Sequence, residues 1–161
     1  MARRIAVGGM LTALAMIFSY IETLFPISPG IPGIKLGLAN LVVLTGLYRM
    51  RPRDVFLVSL ARILLPGFLF GNGFSILYAL TGGLLSFLCM YLLVCRRKQK
   101  PSPPAVSAAA AVCHNTGQLL AAALIVRTPG VLYYLPVLIA AGLLAGITTG
   151  LLAARILRVL P

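Results

Sequence analysis

Basic residues and long apolar runs alternate along the chain in a regular order. Arg3 and Arg4 precede the first apolar run; Arg49, Arg51 and Arg53 separate the second from the third. Arg96, Arg97, Lys98 and Lys100 separate the fourth from the fifth, and Arg155 and Arg158 follow the sixth. The intervening connections, 26–33, 71–73 and 127–130, hold Arg127 as their single basic residue. About 20 apolar residues at 1.5 Å each cross a hydrocarbon core. Cytoplasmic loops collect Lys and Arg. The alternation therefore predicts an all-α membrane protein: a six-transmembrane-helix bundle with both termini cytoplasmic. The expected spans are 5–25, 34–48, 54–70, 74–94, 105–126 and 131–154, in a single transmembrane domain. The second and third are short, and Gly71-Asn72-Gly73 is the turn that divides the third from the fourth.

Composition agrees. Of 161 residues, 60% are hydrophobic and 10% charged, with a mean hydropathy of +1.04, where soluble domains carry about a quarter charged residues. The net charge of +12 does not indicate nucleic acid, because the cations cluster between apolar runs rather than on one amphipathic face. The first run imitates a secretory signal, but it continues to Phe25, so a retained helix is expected. Cys89, Cys95 and Cys113 have no metal-ligand spacing and read as packing residues. No metal or cofactor is expected.

Ionisable groups inside spans are costly and often mark function. In the orientation above, Glu22, Lys35, Asn40 and Asn72 lie toward the outer side and Arg62 at mid-depth. His114, Asn115 and Gln118 run outward from the middle of the fifth span. These eight are the candidate substrate-binding residues. His114 and Gln118, four apart, share a helix face. Pro66 deprives the Arg62 carbonyl of its helical partner and predicts a kink. A purely structural role stays open for them: Glu22 could pair with Lys35, Arg62 with helix-end carbonyls, and His114 with a neighbouring helix.

The uncharged segment 26–33, stiffened by Pro26, Pro29 and Pro32 and hinged at Gly30 and Gly33, has the makings of a gating loop over an outward pocket. An ordinary tight connection is the alternative. Small residues form packing stripes: Ala109, Cys113, Gly117 and Ala121 on the fifth span, and Gly142, Gly146 and Gly150 on the sixth. Those on the first, Ala6, Gly9 and Ala13, could pack internally or meet a partner protein.

The run Gly30-Ile31-Pro32-Gly33-Ile34-Lys35-Leu36-Gly37-Leu38-Ala39-Asn40-Leu41 resembles the hallmark of a family of small prokaryotic membrane proteins. Its members are labelled heptaprenyl diphosphate synthase component I or Gx transporter. Ala61-Arg62, Gly82-Gly83-Leu84-Leu85-Ser86, His114-Asn115-x-Gly117-Gln118 and Pro129-Gly130-Val131-Leu132-Tyr133-Tyr134-Leu135-Pro136 extend the resemblance over nearly the whole chain. That family is similar to the substrate-binding S components of energy-coupling factor (ECF) transporters. The likeness implies a six-helix S-component-like fold and a pocket under the loop between the first two helices. It also implies a small-residue surface on helix 1 for a transmembrane coupling subunit that works with ATPases.

Two functions follow. One is a substrate-binding membrane subunit for a small anionic or amphiphilic organic molecule; no G-x-x-x-x-G-K-[ST] motif is present, so ATP-driven motion would come from other subunits. The alternative is a non-catalytic membrane partner of a heptaprenyl diphosphate synthase in isoprenoid quinone biosynthesis. Diphosphate chemistry normally needs Mg²⁺ on carboxylates. The only two acidic residues, Glu22 and Asp54, are assigned to opposite sides of the membrane, so catalysis by this chain is not expected. An intramembrane hydrolase is disfavoured, since His114 has no serine-elbow partner.

Overall fold

A computed structural model describes residues 2–24 and 37–159. It contains six α-helices and a 3-10 turn, with no strand among the described residues: α1 (Ala2–Leu24), α2 (Leu38–Arg49), α3 (Pro52–Phe70), α4 (Gly73–Cys95), α5 (Pro103–Val126), the turn Pro129–Tyr134, and α6 (Leu135–Val159). Four segments are long and apolar enough to cross a bilayer: Ala2–Glu22, Gly73–Cys95, Pro103–Val126 and Gly130–Val159. The chain is thus a multi-pass membrane protein. The other two helices fall short for different reasons. α2 is apolar but has 12 residues; α3 has 19 but includes Arg53, Asp54 and Arg62.

α2 is apolar over most of its surface, as suits a helix enclosed by others. Ala39, Leu41, Val42, Val43, Leu44, Gly46 and Leu47 are all buried, and α2 touches each of the other five helices. Leu44, Val43, Val55, Met90, Val94 and Val106 fill the core around it. Large apolar side chains on the outer helices point away from this core, among them Ile17, Leu57, Leu124 and Leu144. In water such a surface would aggregate; in a bilayer it is the lipid-facing belt.

Sequential helices run antiparallel, as their facing residues show. Gly46 meets Val55, Gly67 meets Ile76, Gly82 meets Gln118, and Gly146 meets Ala108. The basic connections consequently gather at one end. There the Tyr48 hydroxyl donates to the Pro101 carbonyl at 2.7 Å, and Lys100 Nζ lies 5.9 Å from the centre of the Tyr48 ring. Arg49 Nη2 donates to the Leu157 carbonyl at 2.7 Å, placing a cation on the negative end of α6. The exposed rings of Tyr133 and Tyr134 lie at the other end.

Small residues set the closest approach, between α5 and α6. A Cβ on Gly146 would stand 2.6 Å from Ala108 Cα and 2.8 Å from the Ser107 carbonyl oxygen. Gly142 and Gly150 lie on the same face, against Asn115 and Pro104. The α6 stripe thus seats on the row Pro104, Ala108, Ala111 and Asn115 of α5. In the stripe expected on α5 itself, Gly117 instead faces α4, at Thr81 and Gly82. α3 runs through Pro66 to Phe70, the end expected for the third span.

Candidate functional site

A cavity of about 370 Å³ occupies the bundle on the side away from the basic end and draws its wall from all six helices. Of the eight candidate binding residues, it brings together Glu22, Asn40, Arg62, His114, Asn115 and Gln118. Ile63, Pro66, Phe70, Tyr78, Ala79, Ala111 and Ala145 supply the apolar part of the wall. Ligand sites usually combine such a wall with a few placed polar groups.

The polar groups are held in different ways. Gly37 caps α2 in the left-handed region, φ 79°, a conformation that side chains other than glycine adopt at a cost. This turn presents the Leu38 N–H to Glu22 Oε1, which accepts it at 2.7 Å. The carboxylate therefore sits on the positive end of α2, where the helix dipole favours it. Two residues on, Asn40 Oδ1 accepts from Arg62 Nη2 at 2.6 Å. Arg62 is 9% exposed, and its Nε is buried with no hydrogen-bond partner among the described residues. A guanidinium carries five N–H donors, and a buried donor left unpaired costs about 1–3 kcal/mol. Among the described residues, the site thus holds a cationic donor that no group accepts.

On α5, His114 and Gln118 share one face, as their spacing requires, and both lie against Gly82 of α4. Gln118 is buried. Asn115 turns toward α6, where its Nδ2 donates to the Leu138 carbonyl at 2.8 Å; Gly142 leaves room for that amide.

Two of the eight are placed otherwise. Asn72 is the N-cap of α4: its Oδ1 accepts from the Ser75 N–H at 2.8 Å, while Ser75 Oγ accepts from the Asn72 N–H at 3.0 Å. That capping box uses its side chain for the turn, and it is not on the cavity wall. Lys35 lies outside the described residues, as do the gating-loop positions Pro26, Pro29, Gly30, Pro32 and Gly33. Ala6, Gly9 and Ala13 are exposed on α1, and nothing lies within 4 Å of where a Gly9 Cβ would stand.

The sequence reading missed the far end of the cavity. Ser107 of α5 and Thr149 of α6 are buried there, their hydroxyls 3.0 Å apart. Serine and threonine in a span usually bond back to their own helix, so nothing in the sequence marked this pair. The one available signal was the α6 glycine stripe, because close helix approach brings their hydroxyls within bonding distance.

The sequence model of one protein family, described as heptaprenyl diphosphate synthase component I, matches residues 11–156. No curated protein matches the chain, and no solved structure does.

Proposed function

The chain belongs to the heptaprenyl diphosphate synthase component I family, and from that premise we propose that it is the substrate-binding membrane subunit of a transporter for a small organic anion or amphiphile. In this reading all six helices cross the membrane, with both termini and the basic connections cytoplasmic. The cavity then opens outward beneath the segment that joins α1 to α2, with Pro26, Pro29, Gly30, Pro32 and Gly33 forming its gate and Lys35 adding a second cation.

The observation that carries the reading is Arg62: a buried cation on the cavity wall with an N–H that no group among the described residues accepts. Glu22, the one acidic residue on the wall, gives one carboxylate oxygen to α2's N-terminus, and its charge offsets part of that of Arg62 without forming a hydrogen bond to it. An arriving carboxylate or phosphate would satisfy Arg62 with charge-assisted bonds, while Asn40, His114, Asn115 and Gln118 fix its orientation. The exposed small-residue face of α1, at Ala6, Gly9 and Ala13, is the proposed seat of an ECF-type transmembrane coupling subunit, through which separate ATPases would act.

Mass spectrometry of small molecules that co-purify with the detergent-solubilised protein tests this. A stoichiometric organic anion, lost on Arg62→Ala, supports transport. An empty cavity in the wild-type protein, under conditions where a soluble prenyl synthase co-purifies, supports the second reading instead. That reading rests on the family's own description as a synthase component. In it the chain is a non-catalytic membrane partner, its basic end docking the soluble enzyme. Neither reading makes the chain itself an enzyme: Glu22 lies near the end of α1 and Asp54 in the first turn of α3, at opposite ends of the bundle.

A further inference from the structure

The hydroxyl pair at the far end of the cavity has a defined polarity. Thr149 has one hydroxyl proton, and its Oγ1 lies 2.8 Å from the Ala145 carbonyl oxygen of its own helix. Ser107 Oγ and Thr149 Oγ1 are 3.0 Å apart. If Thr149 donates to Ala145 and Ser107 donates to Thr149, both protons are bonded. In the reverse arrangement Thr149 donates to Ser107, the bond to Ala145 is lost, and the Ser107 proton is left to the cavity. Buried donors are rarely left unmade, so the first arrangement prevails. It spends both protons inside the protein and leaves Ser107, a residue of the cavity wall, with acceptor capacity to spare. The far end therefore accepts hydrogen bonds, whereas Arg62 at the near end donates them.

One turn from Ser107 and Thr149 toward the other end, the wall is apolar and small, with Ala111 on α5 and Ala145 on α6. His114 and Ser107 are seven residues apart on α5, about 10 Å of helix rise. We infer that Ser107, held by Thr149, is a specificity subsite: the ligand is an organic anion whose acidic group meets Arg62 and whose far end, across an apolar stretch, carries a hydroxyl, amine or amide N–H. This rests on the reading of the cavity as a ligand site.

The test uses decanoate and ω-hydroxydecanoate, chains of suitable length that differ by one terminal oxygen. An equimolar mixture is added to the detergent-solubilised protein, and the bound ratio is read by native mass spectrometry. The unaltered protein is expected to favour the hydroxy compound about fivefold, the effect of one neutral hydrogen bond. Ser107→Ala should bring the ratio near one, whereas Thr149→Val, which keeps the Ser107 oxygen, should preserve the preference. Circular dichroism checks that each variant is folded.

A wild-type ratio near one, an unchanged ratio in Ser107→Ala, loss of the preference in Thr149→Val alone, or capture of neither probe overturns the subsite. Arg62→Gln separates this from the broader reading. Loss of both probes in that variant, alongside a wild-type ratio near one, removes the subsite but leaves the anion site standing. Probes that bind Arg62→Gln as well as the wild type remove both.

Discussion

Replacing Gly146 by alanine puts a methyl group into the closest helix crossing in the bundle. The new Cβ would stand 2.6 Å from Ala108 Cα, 2.8 Å from the Ser107 carbonyl oxygen and 3.0 Å from Ala108 N, where ordinary contact begins at 3.4 Å. All three neighbours are fixed by helix backbone or Cα positions, so α6 has to withdraw from α5 by about 0.8 Å, a shift of the kind overpacking imposes. Overpacking costs about 1–3 kcal/mol. The same withdrawal would stretch the 3.0 Å Ser107–Thr149 hydrogen bond beyond bonding range, a further loss of about 1 kcal/mol. Alanine's higher helix propensity returns about 1 kcal/mol. The net loss is about 1–3 kcal/mol, which for a chain of this length lowers the melting temperature by roughly 3–10 °C.

The protein has no tryptophan, so unfolding is best followed with a thiol-reactive fluorogenic dye. Cys89 and Cys113 are half-buried and report the opening of the bundle, while exposed Cys95 sets the baseline. Gly9→Ala is the matched control: nothing lies near its Cβ position, so propensity alone should leave it as stable as wild type or slightly more so. If Gly146→Ala melts with the wild type while Gly9→Ala behaves as described, the tight α5–α6 crossing is refuted.

Three further outcomes follow. Asn40→Ala removes the acceptor of the 2.6 Å bond from Arg62; loss of a bond to a charged group should destabilise the fold by about 1.5–3 kcal/mol, measured by the same melt. Glu22→Gln removes the negative charge from α2's N-terminus and should cost about 1 kcal/mol, with hydrogen exchange at the Leu38 amide rising. Asn72→Ala breaks the capping box of α4 and should lower stability by about 1 kcal/mol, while leaving the set of co-purifying small molecules unchanged, because Asn72 is not on the cavity wall.

The sequence was informative where one physical effect dominated. Long, predominantly apolar runs marked α1, α4, α5 and α6, because no other environment accepts so many apolar side chains. α2 was recognisable as apolar, but its role at the centre was not: nothing local says that all five other helices will surround Leu38–Arg49. The charged and amide side chains Glu22, Asn40, Arg62, His114, Asn115 and Gln118 stood out because burial in a membrane is costly for them, and the structure gathers these six on one wall. Asn72 stood out equally, yet its flanking glycines belong to a turn and its side chain caps α4. Ser107 and Thr149 were silent, since a hydroxyl in a helix is ordinarily satisfied by its own backbone. Their pairing depends on the distance between two helices, which only the glycine stripe of α6 encodes.

The direction in which the cavity opens is decided by labelling intact cells with a membrane-impermeant maleimide. One version of the protein carries Asn72→Cys with the three native cysteines replaced by alanine; a second retains Cys95 alone. Position 72 should react in intact cells, and Cys95 only after permeabilisation. The reverse pattern would place the basic end outside and the cavity's mouth in the cytoplasm, and uptake of an external ligand through Arg62 would be untenable.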